Sequence, residues 1–163
     1  MSVTTSRKAY EVIHVMIEAS RPFEQVRLAL EAIVPPIDPE IPVLLQDGLT
    51  DRLRQRLEAA PELSIFLTRD HGMLLGIYGK VEKAVQYEIG NPLTAERMTR
   101  HVLAAGLYAP LRVILLEEEE RVFFEYDLPS SLFAQFGDER VAAVGRELDD
   151  ELEAALALAG GLR

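Results

Sequence analysis

Apolar side chains recur along the chain with two periods, and these periods divide it into strands and helices. Alternation predicts five strands, at residues 10–19, 64–69, 83–89, 111–116 and 122–127. Spacings of three and four residues predict four helices, which begin near Ser20, Thr50, Asn91 and Asp138. Residues 86–129 combine three of the strands with one helix, and we expect the other elements to pack around this unit.

The order of these elements predicts the fold class. Strands that follow one another, with helices segregated from them, favour an α+β fold with a mainly antiparallel sheet and helices packed on one face. A long C-terminal helix is expected over about residues 138–159. The length of 163 residues fits one domain, which we place at residues 10–163. Residues 1–9 are small, polar and basic, and are expected to form a flexible N-terminal tail.

The second face of the predicted sheet also carries apolar groups. The first strand is apolar on both of its faces, which is typical of a strand covered on two sides. The second face is therefore expected to contact helices, a ligand or another subunit. Its apolar positions are Val12, Met16, Ile114 and Leu116.

Two segments are less regular. Residues 35–47 contain four prolines and are interpreted as an irregular connection. The helix that follows is expected to carry Leu49, Leu53 and Leu57 on one side and arginines on the other. Residues 70–83 fit either a strand returning after an Asp-His-Gly turn or a short buried helix, and we favour the helix.

Several motifs, read in order, resemble the domain of unknown function 302 family of small bacterial and archaeal domains. They are Phe23-Glu24, Asp70-His71, Gly90-Asn91-Pro92 followed by Met98, and Leu111-Arg112-Val113 leading to Tyr126-Asp127-Leu128-Pro129. The resemblance covers roughly residues 9–159. It implies a fold like that of the TATA-box-binding protein, and a homodimer. It implies no activity, because the family has no agreed one.

The chain departs from the family pattern in two places. Residues 35–61 are longer than the usual linker, and they predict an added helix. Thr94-Ala95-Glu96 stands where the family often has Gly-Thr. The resemblance therefore does not extend to a glycine-lined anion site at this helix start.

Charge and composition exclude several classes of function. The formal net charge is −10, from 27 acidic and 17 basic side chains, and such a field repels nucleic acid. The absence of cysteine excludes disulfides and thiolate metal sites. The sequence shows no membrane-spanning apolar run and no signal-peptide pattern at its N-terminus, so we expect no membrane insertion and a cytoplasmic location.

The first group of candidate ligand-binding residues consists of Asn91, near which a helix is expected to begin, and three residues that follow it. Thr94, Arg97 and His101 follow on one predicted side of this helix. Such a row can bind an anionic group near a helix N-terminus, where the backbone dipole adds to the attraction. The alternative is a solvated helix face.

Asp70, His71 and Tyr126 complete the candidate ligand-binding set. An acid beside a histidine can orient it as a general base, although Asp-His-Gly is also an ordinary turn sequence. Tyr126 on the sheet can line a pocket, or can pack structurally.

No catalytic residue, metal ligand or cofactor is assigned. His14, His71 and His101 lack the spacing of a metal motif, and we expect one of them packed in a strand and two on the surface. The Ser-His-Asp, P-loop, GxGxxG and HExxH patterns are missing.

Three functions remain open. The favoured one is non-enzymatic binding of a small apolar or amphipathic ligand between the sheet and the helices of a homodimer. The second is an interaction module whose outer sheet face forms a dimer or docks a partner protein without a ligand. The third is a metal-dependent hydrolase that uses Asp70 and His71.

Overall fold

A computed structural model describes residues 3–48 and 50–162 of the chain. Its centre is a five-stranded antiparallel sheet with the order β1-β5-β4-β3-β2. The strands are β1 (His14–Ala19), β2 (Ser64–Asp70), β3 (Ala84–Gly90), β4 (Leu111–Glu118) and β5 (Arg121–Asp127). The predicted antiparallel sheet is confirmed.

Seven α-helices and two short 3₁₀ helices connect or cover the strands in the described part of the chain. The α-helices are α1 (Phe23–Ile33), α2 (Glu40–Gln46), α3 (Thr50–Glu58), α4 (His71–Leu75), α5 (Pro92–Thr99), α6 (Pro129–Ala134) and α7 (Glu139–Gly160). The 3₁₀ helices are Gly76–Tyr78 and Leu103–Tyr108. None of these described helices has the length and apolar character needed to cross a membrane.

One face of the sheet forms the core. Because side chains alternate along a strand, every second residue of the central strands points to this inner face. The side chains there are at most 1 % exposed, as at Tyr87, Val113, Leu115 and Phe124. Helices α1 and α7 contact each other and the sheet on this side. The predicted α+β fold, with helices on one face and a long C-terminal helix, is confirmed.

Side-chain caps fix the starts of α5 and α7 as the sequence predicts. Asn91 Oδ1 accepts hydrogen bonds from the backbone N–H groups of Leu93 and Thr94, at 2.8 and 3.3 Å. Asp138 Oδ1 caps α7 in the same way. Ser20 was expected to cap the first helix from its position just before Pro22, and this is wrong: the hydroxyl of Ser20 donates to the carbonyl of Gly160 at the end of α7, and α1 has no side-chain cap.

The described part of the chain covers only one face of the first strand, so no helix of the same chain supplies the predicted cover of its second face. Strand β1 begins at His14, and residues 3–13 are exposed and form no helix or strand. Val12 is 42 % exposed and Met16 57 %. The outer face of the sheet is open because the helices pack on the other face and ion pairs are interleaved with its apolar groups.

Two other segments also differ from the sequence-based expectation. Residues 40–46 form α2 rather than an irregular connection, and Pro42 is tolerated because it falls in the first turn, where N–H groups have no helical partner. The helix favoured within residues 70–83 is confirmed as α4, but its apolar side chains at Met73, Leu74 and Leu75 are exposed rather than buried. Leu49 lies outside the described residues.

Candidate functional site

An apolar cavity of about 100 Å³ lies where β3 ends and α5 begins. Its floor consists of buried side chains from five elements: Ile89, Met98, Leu111, Phe133 and Leu148. Its mouth is half-buried and is formed in part by Phe66, Asn91, Thr94, Ala95 and Pro110. The cavity therefore lies between the inner sheet face and the helices, and opens towards solvent beside α5.

The corner from β3 into α5 shapes the polar part of the cavity mouth. The amide group of Asn91 has a structural role, because Nδ2 donates one hydrogen bond to the carbonyl of Pro61 at 3.1 Å while Oδ1 caps α5. Thr94 lines the mouth, and its hydroxyl makes no hydrogen bond to another described residue. Thr94 is thus the residue at the cavity whose side-chain polar group has no partner among the described residues.

Arg97 and His101 line a different feature, a surface cleft of about 230 Å³. Arg97 Nη1 lies 2.7 Å from Glu147 Oε2 on α7, and this ion pair raises the pKa of Arg97 and lowers that of Glu147. His101 follows the end of α5 and is exposed. The structure therefore separates Arg97 and His101 from the cavity that contains Asn91 and Thr94.

Asp70 and His71 lie at the opposite end of β2 from the cavity. Ser64 pairs with Gly90 at the cavity, and Asp70 is six residues further along β2, about 20 Å away at ~3.3 Å per residue. Asp70 Oδ1 accepts the N–H of Met73 at 2.7 Å and so caps α4, while His71 is exposed. No hydrogen bond joins Asp70 to His71 among the described residues.

Tyr126 is buried on the inner face of the sheet, where it pairs with Val15 and Val113. Its hydroxyl is buried and has no hydrogen-bond partner in the described chain. Burial, together with the nearby carboxylates of Glu153 and Asp149, raises the pKa of Tyr126 to about 12. Tyr126 does not line the cavity beside α5.

Comparison with known proteins decides the family. The model of the family named domain of unknown function DUF302 matches residues 46–159. The chain belongs to this family. The resemblance drawn from the motifs is thereby confirmed, and the DUF302 match includes every residue that lines the cavity. It begins after β1 and α1, which complete the sheet and the core.

A solved structure has the same fold. The chain is similar to the uncharacterized conserved protein DUF302 from Bacillus stearothermophilus, with a TM-score of 0.65 and 16% sequence identity. The similarity covers 88% of this chain and 94% of that one. No curated protein matches the sequence. The DUF302 comparisons thus establish the family and the fold.

Sequence patterns did not reveal most of the residues that line the cavity in this DUF302 chain. Phe66 lies at a register shift in β2, where the alternation of faces is interrupted. Phe133 lies on α6, in a segment too short to show helical periodicity. The signal that was available is the Asn91 cap, which locates the start of α5 and hence the cavity mouth.

His14 forms a polar cluster on the outer face that the sequence analysis missed. Its Nδ1 lies 3.2 Å from Asp127 Oδ1, and its Nε2 lies 3.0 Å from Glu125 Oε2. The hydrogen bonds to Asp127 and Glu125 raise the pKa of His14. The expectation of one packed histidine is wrong, since His14, His71 and His101 are all exposed. The described residues contain no group of three or more side chains arranged to hold a metal ion.

Replacing Tyr126 by phenylalanine is expected to stabilise this DUF302 domain by about 1 kcal/mol, because it removes a buried hydroxyl that has no hydrogen-bond partner. Urea denaturation would measure the change. Tyr87→Phe is the matched control, because the hydroxyl of Tyr87 donates to Glu31 Oε1 at 3.0 Å, and its removal should destabilise the fold slightly. A loss of stability in Tyr126→Phe would show that its hydroxyl has a partner.

Proposed function

We propose that this DUF302 domain binds a small apolar or amphipathic molecule in the cavity beside α5. The observation that carries the proposal is an apolar cavity with a buried floor and one free hydroxyl, that of Thr94, at its mouth. Apolar cavities remain dry, so an apolar group that enters gains contacts without displacing bound water. An engineered cavity of ~150 Å³ accepts benzene, so about 100 Å³ suits a group smaller than a benzene ring.

The composition of the cavity favours ligand binding without catalysis. It is lined by apolar side chains, together with Asn91 and Thr94, and no charged residue is among them. Asn91 is committed to capping α5 and to Pro61, which leaves Thr94 to orient a ligand by one hydrogen bond. A short branched alcohol such as isobutanol has the matching chemistry, because its isopropyl end is smaller than a benzene ring and can enter the cavity while its hydroxyl stays at the mouth.

Gly90→Ala is expected to weaken isobutanol binding at least fivefold while stabilising the protein by about 0.5–1 kcal/mol. A Cβ at Gly90 would lie 3.6 Å from Pro110 and 3.8 Å from Phe66, at ordinary contact distance and within the cavity mouth. Methyl NMR of Met98 and Ala95 would report isobutanol entry, and urea denaturation would report stability. Native mass spectrometry of freshly purified protein would detect a retained natural ligand.

Gly106→Ala serves as the control for Gly90→Ala. It adds the same methyl group outside the cavity, where the new Cβ would lie 3.6 Å from Thr99, and it should bind isobutanol as the wild type does. Thr94→Val should lose part of the affinity because it removes the free hydroxyl. Wild-type protein whose Met98 and Ala95 methyl signals do not respond to isobutanol would refute the proposed site.

We further infer that the outer face of the sheet forms a homodimer with a second copy of the chain. Met16, Ile114 and Leu116 lie on this face, which no helix covers in the described residues. Arg112 has no ion-pair partner among the described residues, whereas Glu125 and Asp127 share the single partner His14. A two-fold axis through the face could bring Arg112 of each copy towards these carboxylates of the other.

The dimensions of the face suggest a weak dimer. Five strands spaced ~4.8 Å apart, each about seven residues long at ~3.3 Å per residue, give a projected area of roughly 500–600 Å². A stable interface buries about 800 Å² on each partner. The monomer–dimer equilibrium should therefore depend strongly on protein concentration.

Ile114→Asp is expected to shift the chain to the monomer, because it would bury a carboxylate in the proposed interface. Sedimentation velocity over a range of protein concentrations would measure the shift. Leu28→Asp is the matched control, since Leu28 is exposed on α1 and away from the outer face. A wild type that stays monomeric at the highest concentration would exclude this interface.

We also infer that residues 10–163 act as one domain, with residues 1–9 as a tail. The support is that β1 pairs with β5 and α1 belongs to the same buried core as α7, although both lie before the DUF302 match.

A further inference from the structure

A second concave feature lies between the C-terminal end of α1, residues 61–63 and the last half of α7. This groove has a volume of about 490 Å³, within the range of small-molecule sites. Its walls include the apolar side chains of Ile33, Pro61 and Leu158. It shares no lining residue with the cavity beside α5, so it is a separate feature.

Two carboxyl groups, from Glu62 and Glu151, interrupt the apolar walls of the groove. Oε2 of Glu151 is shielded from solvent and has no hydrogen-bond partner among the described residues. Burial, followed by the charges of Glu62 and Glu147, raises the pKa of Glu151, while the charge of Arg97 opposes them.

No cation within the described chain neutralises this pair of carboxyl groups. The basic group that acts on Glu151, Arg97, is already bound to Glu147 at 2.7 Å. Neither Glu62 nor Glu151 forms an ion pair with any described residue. A ligand that supplied a positive charge here would relieve the repulsion between Glu62 and Glu151.

The groove has a charged end at Glu151 and an apolar end at Leu158. Glu151 and Leu158 are seven residues apart on α7, about 10 Å along the helix at ~1.5 Å per residue. Ala154 lies between them on the groove wall. A ligand that places its charge at Glu151 would therefore lay an apolar arm along Ala154 towards Leu158. The net charge of −10 would also attract cations to the protein.

We propose that this groove binds a small organic cation, an ammonium group carried on a short alkyl or aryl arm. The ammonium group lies between Glu62 and Glu151, and the arm contacts Ile33, Ala154 and Leu158. A small molecule fits better than a peptide because the backbone groups of α7 along the groove are already hydrogen-bonded and cannot pair with a peptide main chain.

The test compares three probes that share one apolar arm: hexylammonium, hexanol and hexanoate. NMR titration should show that hexylammonium binds at least tenfold more tightly than hexanoate, with hexanol between them. The methyl signals of Ile33, Ala154 and Leu158 should shift with hexylammonium. In the double variant Glu62→Gln with Glu151→Gln, hexylammonium affinity should fall at least tenfold and hexanol affinity should stay constant.

Asp150→Asn with Glu153→Gln is the matched control. It removes two exposed carboxylates of the same helix that do not line the groove, and it should keep the preference for hexylammonium. Equal affinity for the three probes, or an unchanged preference in the Glu62 and Glu151 double variant, would overturn the proposal. A tripeptide with an acetylated N-terminus and a central lysine that keeps its ammonium group tests the alternative. Tighter binding of this tripeptide than of hexylammonium would overturn the assignment to a small molecule.

Discussion

Phe133→Ala is expected to lower the free energy of unfolding by about 3–5 kcal/mol. Phe133 is completely buried on α6, where it packs against α7 and forms part of the cavity floor. Removing its ring costs the burial of an aromatic side chain and leaves additional empty space. Urea denaturation followed by circular dichroism would measure the loss, and Phe133→Leu gives a milder variant should the alanine variant fail to fold.

The same substitution should enlarge the cavity enough to accept benzene. Benzene would then bind the folded state alone and raise the stability of Phe133→Ala in proportion to ligand concentration. The wild-type cavity of about 100 Å³ should show no such effect. In the variant, benzene should also shift the methyl signal of Met98, which lies on the cavity floor.

Phe124→Ala separates an effect on the cavity from a general effect on the core. Phe124 is as deeply buried as Phe133, but it lies on β5 and does not line the cavity. The two variants should lose similar stability. Only in Phe133→Ala should benzene shift the methyl signal of Met98. If benzene stabilises neither variant, the space around α5 closes after mutation and does not act as a preformed site.

The sequence predicted most reliably those features that depend on local chemistry. Asn91 and Asp138 were identified as helix starts because an N-cap needs only its own side chain and the next few N–H groups. The strands of the sheet were identified because alternation is a property of one segment. Ser20 shows the limit, since a contact with Gly160 at the other end of the chain takes its hydroxyl away from α1.

The candidate site was predicted only at its mouth. Thr94 was found because it follows a recognisable cap, whereas Phe66 and Leu148 reach the cavity from β2 and α7. Helical spacing placed Arg97 and His101 beside Thr94, but α5 ends at Thr99 and Glu147 holds Arg97. Such contacts arise from packing between distant segments, which periodicity within one segment does not record.

The outer face of the sheet shows a different limit. Alternation indicated that Met16 and Ile114 share a second apolar face, and they do. It did not indicate what covers that face, because an apolar pattern is the same beneath a helix, a ligand or another subunit. The pairing of His14 with Asp127 depends on strand register, which the sequence does not specify by itself.

Gly72→Ala is expected to lower the free energy of unfolding by about 2–3 kcal/mol, because the added methyl group overpacks a closed position. For a chain of this length the corresponding fall in Tm is roughly 4–12 °C. A Cβ at Gly72 would lie 2.2 Å from the carbonyl oxygen of Glu82 and 2.9 Å from the backbone nitrogen of Ala84. Both atoms belong to the backbone leading into β3, so the strand itself would have to move.

Gly76→Ala is the matched control, because it adds the same methyl group to the same segment without a close contact. Gly76 lies four residues further along, and a Cβ there would meet no atom within 4 Å, so its replacement should be neutral or slightly stabilising. The Asp-His-Gly sequence suggests a glycine required for turn conformation, but Gly72 is not among the glycines with positive φ. Equal behaviour of the two variants would therefore show that close backbone approach is not what requires glycine at position 72. A loss confined to Gly72→Ala, with isobutanol binding unchanged, would instead show that the end of β2 bearing Asp70 and His71 supports the fold independently of the cavity.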